Sequence, residues 1–378
     1  MSLTLEQQEV HDRLLSYVLN QHSEPNQEIH FIAPGGYGKS FVLRAVIRSL
    51  ELHGKQCAVL AFTGRAVSHL AKDAGIPAQT CHSLLYDPIL DENGDLIEWK
   101  AKSRSQIKQD CGNVIIVDES SMIPRDIDNI LKETGVPIIY TGDDKQLPSV
   151  SRDSFCVFDR HNVEKLTLTE NMRIKKGMDG LVSITEHLRE NPNMPRRKGE
   201  GLSMIRKSSV MNVDFHRDNK FDMIICGMNK TRKKINGLVR SARGFFDEDA
   251  EIGEQVVCLK NTVINEIKIY NGELFEVLSI FQKNGYKLYI LKSMDTDNKT
   301  VNVNISDGTF ATEESNPIHK DLGTVPFAFG YCLTSHKGQG STFDTVLFID
   351  EDVSFFLDQQ RFRYTSTTRA ASHLTVTI

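Results

Sequence analysis

Ala33-Pro-Gly-Gly-Tyr-Gly-Lys-Ser40 follows a short apolar run, Ile29–Ile32, and opens a segment with helical spacing, Lys39–Leu52. A strand, a glycine loop and a helix in that order let backbone N–H groups wrap a phosphate, and the helix N-terminus adds positive potential. On this reading Pro34, Gly35, Gly36, Tyr37 and Gly38 form the cradle. Lys39 reaches the β- and γ-phosphates, and the Ser40 hydroxyl ligates Mg²⁺. Ala33 stands where the Walker A pattern has its first glycine. Farther along, Val114-Ile-Ile-Val-Asp-Glu119 reads as a buried strand that delivers two carboxylates. Asp118 is the candidate for the Mg²⁺ shell and Glu119 for polarising a water. Together they point to hydrolysis of a nucleoside triphosphate by in-line attack of water on the γ-phosphorus. The bland readings, a glycine-rich turn and a solvated acidic strand end, lose weight because both features occur in one chain and in this order.

The following segments narrow the class. Thr141-Gly-Asp-Asp-Lys-Gln-Leu-Pro148 ends another apolar run and offers Gln146 as a sensor of the γ-phosphate or the attacking water. Leu168-Thr-Glu-Asn-Met-Arg173 offers an arginine, and Tyr331–Ser341 and Tyr364–Arg369 come much later. In order and spacing, from Leu3-Thr-Leu-Glu-Gln7 to the last residue, the chain resembles the superfamily 1 helicases. Within them it is most similar to the small 5′→3′ group (superfamily 1B) typified by phage Dda and bacterial RecD. Gln7 then resembles the Q motif glutamine that reads adenine. Ala61–Ala66 resembles motif Ia, and Thr80–Leu84 the next DNA-contacting motif. Asp118-Glu119 resembles motif II, Gly142–Gln146 motif III and Arg173 the arginine of motif IV. Ser335–Asp344 resembles motif V and Thr368-Arg369-Ala370 motif VI.

The resemblance implies an α/β fold, with two RecA-like P-loop NTPase domains, a β-hairpin insert (1B) and a small SH3-like β-barrel insert (2B). Residues 1–86 and 108–170 would form domain 1A, 87–107 the 1B pin, 171–250 and 327–378 domain 2A, and 251–326 domain 2B. It implies Mg²⁺ and ATP as cofactors, with Arg173 and Arg369 brought to the γ-phosphate by domain closure, and Gly340 in the nucleotide-binding set. Single-stranded DNA and single/double-strand junctions are the implied partners. Thr63, Arg65, His82 and Ser83 of the first domain, and Thr334, His336 and Lys337 of the second, are the candidate contacts. His82 and His336 also have a reading as structural histidines. Trp99, the chain's single tryptophan, either stacks on a base or packs the pin onto its own domain. Polarity rests on the resemblance alone. An RNA helicase of superfamily 1 and an ATP-switched binding module without unwinding are the competing readings. Single-strand-binding or replisome proteins are candidate partners of a monomer working in the cytoplasm of a bacterial or phage-infected cell.

The elements that must position these residues are legible as alternation. Ile29–Ala33, Cys57–Phe62, Val114–Val117, Pro137–Thr141, Met223–Cys226, Thr345–Ile349 and His373–Ile378 are short apolar or β-branched runs. Between them lie helical patterns such as Ala66–Ala71, Thr231–Arg243 and Asp358–Ala370, so a parallel sheet is expected in each half. Two stretches depart. Asp87–Ile107 is polar, with Asn93-Gly94 as a hairpin signal. Residues 251–326 read as all-β, with strands at Gln255–Leu259, Glu273–Ile280, Tyr286–Leu291 and Thr300–Ile305.

Length and composition set the outer bounds. A chain of 378 residues has room for two or three domains. No apolar run approaches the roughly 18 residues of a membrane span, and residues 1–20 lack a signal-peptide core. The seven cysteines are scattered without a CxxC pair, which reads as reduced buried thiols. The net charge of −5 argues, taken globally, against a nucleic-acid binder. Residues 171–243, however, hold 17 Lys and Arg against 7 Asp and Glu, a local +10 that leaves −15 elsewhere. A polyanion-binding surface there stands against the usual reading of a solvated face. The motifs fill the chain, so no tail domain is expected, and a grip that is weak and salt-sensitive without nucleotide is.

Overall fold

The computed structural model describes residues 3–20, 27–90, 96–149, 155–170, 178–264, 267–295, 299–312 and 323–378. The Asn93-Gly94 turn and Arg173 lie outside the described residues. The chain divides into two compact units, Met1–Ile174 and Lys175–Ile378.

In the first unit the strands are β1 (Glu28–Ile32), β2 (Cys57–Ala61), β3 (Gln79–Thr80), β4 (Tyr86–Leu90), β5 (Leu96–Ala101), β6 (Val114–Asp118), β7 (Ile138–Gly142) and β8 (Lys165–Thr167). The helices are α1 (Leu5–Leu19), α2 (Lys39–Leu52), α3 (Gly64–Asp73), α4 (Cys81–Leu85), α5 (Arg104–Cys111) and α6 (Arg125–Glu133). Six strands pair in parallel in the order β3-β2-β6-β7-β1-β8. Every residue of β1, β6 and β7 is buried, which is why these segments are mostly apolar rather than alternating. α2 lays Val42, Leu43, Val46, Ile47 and Leu50 against the sheet. At about 1.5–3 kcal/mol per buried aliphatic side chain, that face anchors the helix whose first residue is Lys39. α1 starts with a capping box, in which Thr4 and Gln7 satisfy each other's backbone N–H.

β4 and β5 form an antiparallel hairpin outside the sheet. It closes at Ala101, short of the expected boundary at Ile107. Ser103 caps α5 by accepting from the Gln106 N–H, so the chain turns helical there. Lys102 braces the hairpin base, with its ammonium 3.0 Å from Asp110 and 3.7 Å from Asp87.

The second unit opens with α7 (Asp179–Glu190), β9 (Leu202–Ile205), α8 (Lys207–Val210), α9 (Val213–Asp218), β10 (Met223–Cys226) and α10 (Asn229–Arg243). There follow β11 (Gln255–Cys258), β12 (Thr262–Ile264), β13 (Ile267–Ile269), β14 (Leu274–Gln282), β15 (Tyr286–Ser293), β16 (Thr300–Ser306) and α11 (Thr309–Thr312). β17 (Phe327–Phe329), β18 (Cys332–Thr334), α12 (Ser335–Gly338), β19 (Phe343–Phe348), α13 (Gln359–Thr367) and β20 (Ala370–Thr377) complete it. A parallel sheet runs β18-β10-β19-β20-β9, so the doubly wound α/β expectation holds in both units. An antiparallel sheet, β16-β15-β14-β11-β17, interrupts it between β10 and β18. Val301, Val303 and Ile305 of β16 point inward, alternating with Thr300 and Asn302. Phe327–Phe329, expected in the RecA-like domain, belongs instead to the inserted sheet, where it pairs with β11. All seven cysteines are free thiols, and all but Cys57 are buried.

His30, in the middle of β1, is fully buried, with Tyr140 and Phe158 presenting their edges to it. Neither ring nitrogen has a hydrogen-bond partner. Burial, reinforced by the positive charges of Arg160, Lys165 and Lys132, pushes its pKa down to about 3. An unfolded histidine titrates near 6.5, so between that pH and about 3 protons favour the unfolded chain, by about 1.4 kcal/mol per pH unit. We predict that acidification from pH 7 to pH 5 lowers the first unit's stability by about 2 kcal/mol through this group. Urea denaturation at the two pH values checks it. His30→Phe should remove most of that difference, and an unchanged difference would dismiss the assignment.

Candidate nucleotide site and nucleic-acid interface

The strand order places β7 between β1, which carries the glycine loop, and β6, which carries the acidic pair. The loop is fastened to the strand end by the Ala33 N–H, which donates to Gly142 O at 2.9 Å. Gly36 and Gly38 take φ of 93° and 89°. That region is strained for any residue with a Cβ, and its use here turns successive N–H groups to one side of the loop. Gly38 also precedes α2 without a side-chain cap, which leaves the first N–H groups of the helix available to an anion.

Lys39 Nζ lies 2.8 Å from Asp118 Oδ1 and 3.4 Å from Glu119 Oε1. Burial alone would lower the ammonium's pKa. The charges of Asp118 and Glu119, with Asp143 beyond, outweigh it and hold the group above its ordinary value. Glu119 is the one described non-glycine residue with positive φ, 50°. It introduces a short 3₁₀ turn, Ser120–Met122, which bends the chain back immediately after the strand. At the end of β7 a Cβ on Gly142 would lie 3.1 Å from Ser120 N and 3.2 Å from the Phe158 ring, a tight fit that favours glycine there. The next residue, Asp143, is buried and accepts from the Lys145 N–H at 3.1 Å. Gln146 is 3% exposed, and its Oε1 has no partner. Thr141 Oγ1 and Ser121 Oγ, also at these strand ends, are likewise buried without one. Each such group costs about 1–3 kcal/mol, a pattern of acceptors and hydroxyls that a bound ligand and its waters would complete.

Sequence and structure therefore agree on the grouping of Lys39, Asp118 and Glu119. Sequence reasoning passed over Asp143, whose neighbour relation to Lys39 depends on strand order. Gln7 is buried, and its Oε1 already accepts from the Thr4 N–H at 3.2 Å. An amide oxygen has a second lone pair, so adenine recognition by Gln7 would share that atom with the cap.

The residues expected at nucleic acid begin at the next strand ends. Thr63 caps α3 by accepting from the Ala66 N–H at 3.2 Å, and Arg65 is buried. Thr80 caps α4 through the Ser83 N–H at 3.1 Å and meets the Ser83 hydroxyl at 2.8 Å. Exposed His82 lies between Phe62 and Tyr86, at ring separations of 5.8 and 5.9 Å. Tyr86 lies one helical turn beyond His82 in the chain, whereas only folding brings Phe62 to the histidine. Desolvation lowers the His82 pKa, with Asp126 opposing, so at neutral pH the imidazole offers stacking and hydrogen bonding rather than charge. Trp99, opposite Pro88 in the hairpin, is 49% exposed.

In the second unit, Thr334 ends β18, and His336 and Lys337 lie in the α12 turn, partly exposed. Gly340 follows with φ 74°. Arg369 does not project freely. It is 5% exposed, donating through Nε to Thr365 O, through Nη1 to Ser341 O and through Nη2 to the Thr368 hydroxyl.

Two protein families match the chain: the AAA domain over residues 16–207, and the UvrD-like helicase C-terminal domain over 329–377. The chain belongs to the AAA domain family. The matched helicase C-terminal domain adds the class of activity: the chain is an ATP-dependent helicase. Solved structures with the same fold include Pif1 helicase from Candida albicans, 20% identical over all of this chain and 94% of that one, TM-score 0.61. Bacteroides Pif1 bound to ssDNA is 19% identical over 100% and 92% of the two chains, TM-score 0.61. The Bacteroides enzyme in complex with ADP-AlF3 and ssDNA is 20% identical over the same shares, TM-score 0.60. Among the described residues no helix is long and apolar enough to cross a membrane.

The left-handed backbone at Glu119 gives a stability test independent of turnover. At such a position alanine carries a strain of about 1 kcal/mol that glycine escapes. We expect Glu119→Gly to be more stable than Glu119→Ala by about 1 kcal/mol, the reverse of the order inside a helix. Denaturant midpoints of the two variants check it, and alanine proving the more stable would contradict the backbone geometry.

Proposed function

We propose that this helicase translocates 5′→3′ on single-stranded DNA and unwinds duplex DNA at the expense of Mg²⁺-ATP. The observation that supports it most is the Lys39 ammonium resting on Asp118 and Glu119 beside the unpartnered Gln146 Oε1. On arrival of ATP, Lys39 transfers its charge from the carboxylates to the β- and γ-phosphates. Ser40 and Asp118 are the residues that would hold Mg²⁺, which supplies charge neutralisation of the phosphate oxygens. Glu119, released from the ammonium, orients a water and accepts its proton as the water oxygen bonds to the γ-phosphorus and the bond to the β-phosphate oxygen breaks. Gln146 Oε1 accepts from the same water, and products are ADP and phosphate. Arg173 and Arg369 stabilise the charge spreading over the transferring oxygens.

The strand would pass Thr63, Arg65, His82 and Ser83 in one unit and Thr334, His336 and Lys337 in the other. Hydroxyls and backbone amides at strand ends hold phosphates without reading sequence, which suits a motor. Trp99 on the exposed hairpin is placed to stack on a base at the junction, and the inserted antiparallel sheet takes the part of an SH3-like 2B domain. DNA as the track is supported by the Bacteroides Pif1 structures, which are bound to ssDNA.

Unwinding of 5′- and 3′-tailed DNA duplexes, with RNA duplexes alongside, tests this reading. We expect unwinding of the 5′-tailed DNA only, and preference for a 3′ tail or for RNA would overturn the assignment. Glu119→Gln should bind ATP with little change yet turn over about 10²–10⁴-fold more slowly. Retention of wild-type turnover would remove Glu119 from the mechanism.

A further inference from the structure

Helix α10 carries an unusual buried face. Arg232, Asn236 and Arg240, each four residues apart, are all buried, beside the apolar Ile235 and Val239. Asn236 Nδ2 donates to Phe329 O at 3.1 Å, and its Oδ1 accepts from the Cys332 N–H at 2.8 Å. Phe329 is the last residue of β17 in the inserted sheet, and Cys332 the first of β18 in the parallel sheet. One side chain thus spans the point where the chain leaves the insert.

One helical turn later Arg240 grips Glu254 through Nε and Nη2, at 2.8 and 2.9 Å, and donates to Asp249 O. Glu254 immediately precedes β11, where the insert begins. The Tyr331 hydroxyl donates to the same carboxylate at 3.1 Å, and the Arg240 guanidinium covers the Phe329 ring at 3.9 Å. Entry and exit of the insert are therefore held by one line of side chains on one helix. Two residues past Cys332 comes Thr334, followed by His336 and Lys337.

An apolar helix face would pack the same surfaces without fixing their register. Directional bonds to one carbonyl and one N–H allow a single arrangement. We propose that Asn236 is a positioning residue, which locks Thr334–Lys337 to the inserted sheet so that force on the insert reaches the segment that holds the strand. Its mechanical consequence rests on the helicase reading, whereas its geometry does not.

The test compares Asn236→Ala with Val303→Ala, a cavity in the core of the insert, at matched distance from their denaturant midpoints. In hydrogen exchange on the full chain, Asn236→Ala should speed exchange across residues 332–337 at least tenfold, whereas Val303→Ala should leave it unchanged. Equal exchange there in the two variants would overturn the positioning role. On tailed duplex DNA, Asn236→Ala should unwind several-fold fewer base pairs per ATP, with single-strand-stimulated turnover within twofold of wild type. Unchanged coupling despite faster exchange would overturn the transmission of force. If the wild type unwinds nothing, the helicase reading and the force claim fall, while the exchange comparison still decides the positioning role. Should Asn236→Ala not fold, Asn236→Asp takes its place with the same expected sign, since it keeps an acceptor for Cys332 but cannot donate to Phe329.

Discussion

The contact between Lys39 and the Asp118-Glu119 pair constrains most of the first unit. Neighbouring strands are about 4.8 Å apart, so two strands separated by a third are roughly 10 Å apart. Since β7 lies between β1 and β6, the lysine must reach over the end of β7. The end of that strand is itself crowded, since a methyl group on Gly142 would press on Ser120 N and Phe158. The same crowding accounts for the left-handed turn at Glu119, which carries the chain away just beyond the carboxylates. A charged cluster so close to a dry sheet is tolerable only because opposite charges meet in it, and a triphosphate with its counter-charge can take over either side.

The second unit handles burial of polar groups differently. Its apolar core runs continuously from the parallel sheet into the antiparallel one, with Val239, Phe275, Phe327, Phe329 and Leu347 in one cluster. Apolar contact alone would hold the two sheets together but tolerate sliding. The Arg240–Glu254 pair is costly to bury and contributes little net stability against an apolar replacement, so register is what it most plainly supplies. Glu351 does comparable work at the other end of α10. Its carboxylate accepts from the Gly227 and Met228 N–H groups and from the Thr231 hydroxyl, capping a helix whose own first turn has no acidic residue.

How much of this was legible depended on the range of the interaction. Glycine loops, strand-end carboxylates and apolar runs are local patterns, so the phosphate loop, the acidic pair and both parallel sheets could be read from the chain. Lys39–Leu52 and Met223–Cys226 have the same bounds in both views. The hairpin end was placed too late because Ser103 acts through a cap, and polarity alone does not separate a capped helix from a polar loop. Phe327–Phe329 was assigned to the wrong sheet since an apolar triplet carries no label for its partner. The approach of Phe62 to His82 and the paired hydrogen bonds of Asn236 are consequences of topology. No spacing along the chain encodes them.

The charge balance acquires a structural meaning at this level. A net charge of −5 suggested a poor polyanion binder, but the average hides where charge is spent. In the nucleotide site Lys39 offsets part of the charge of Asp118, Glu119 and Asp143. Of the described Lys and Arg in 171–243 only Arg232 and Arg240 are buried, Arg240 on Glu254, while Lys230, Lys233 and Lys234 of α10 remain exposed. At the expected track Arg65 is buried and burial lowers the His82 pKa, which leaves the partly exposed Lys337 as the chief cation. Hydroxyls, caps and stacked rings remain, and contacts of that kind are numerous, weak and indifferent to base sequence. Contacts of that kind give up one phosphate for the next without a large ionic barrier.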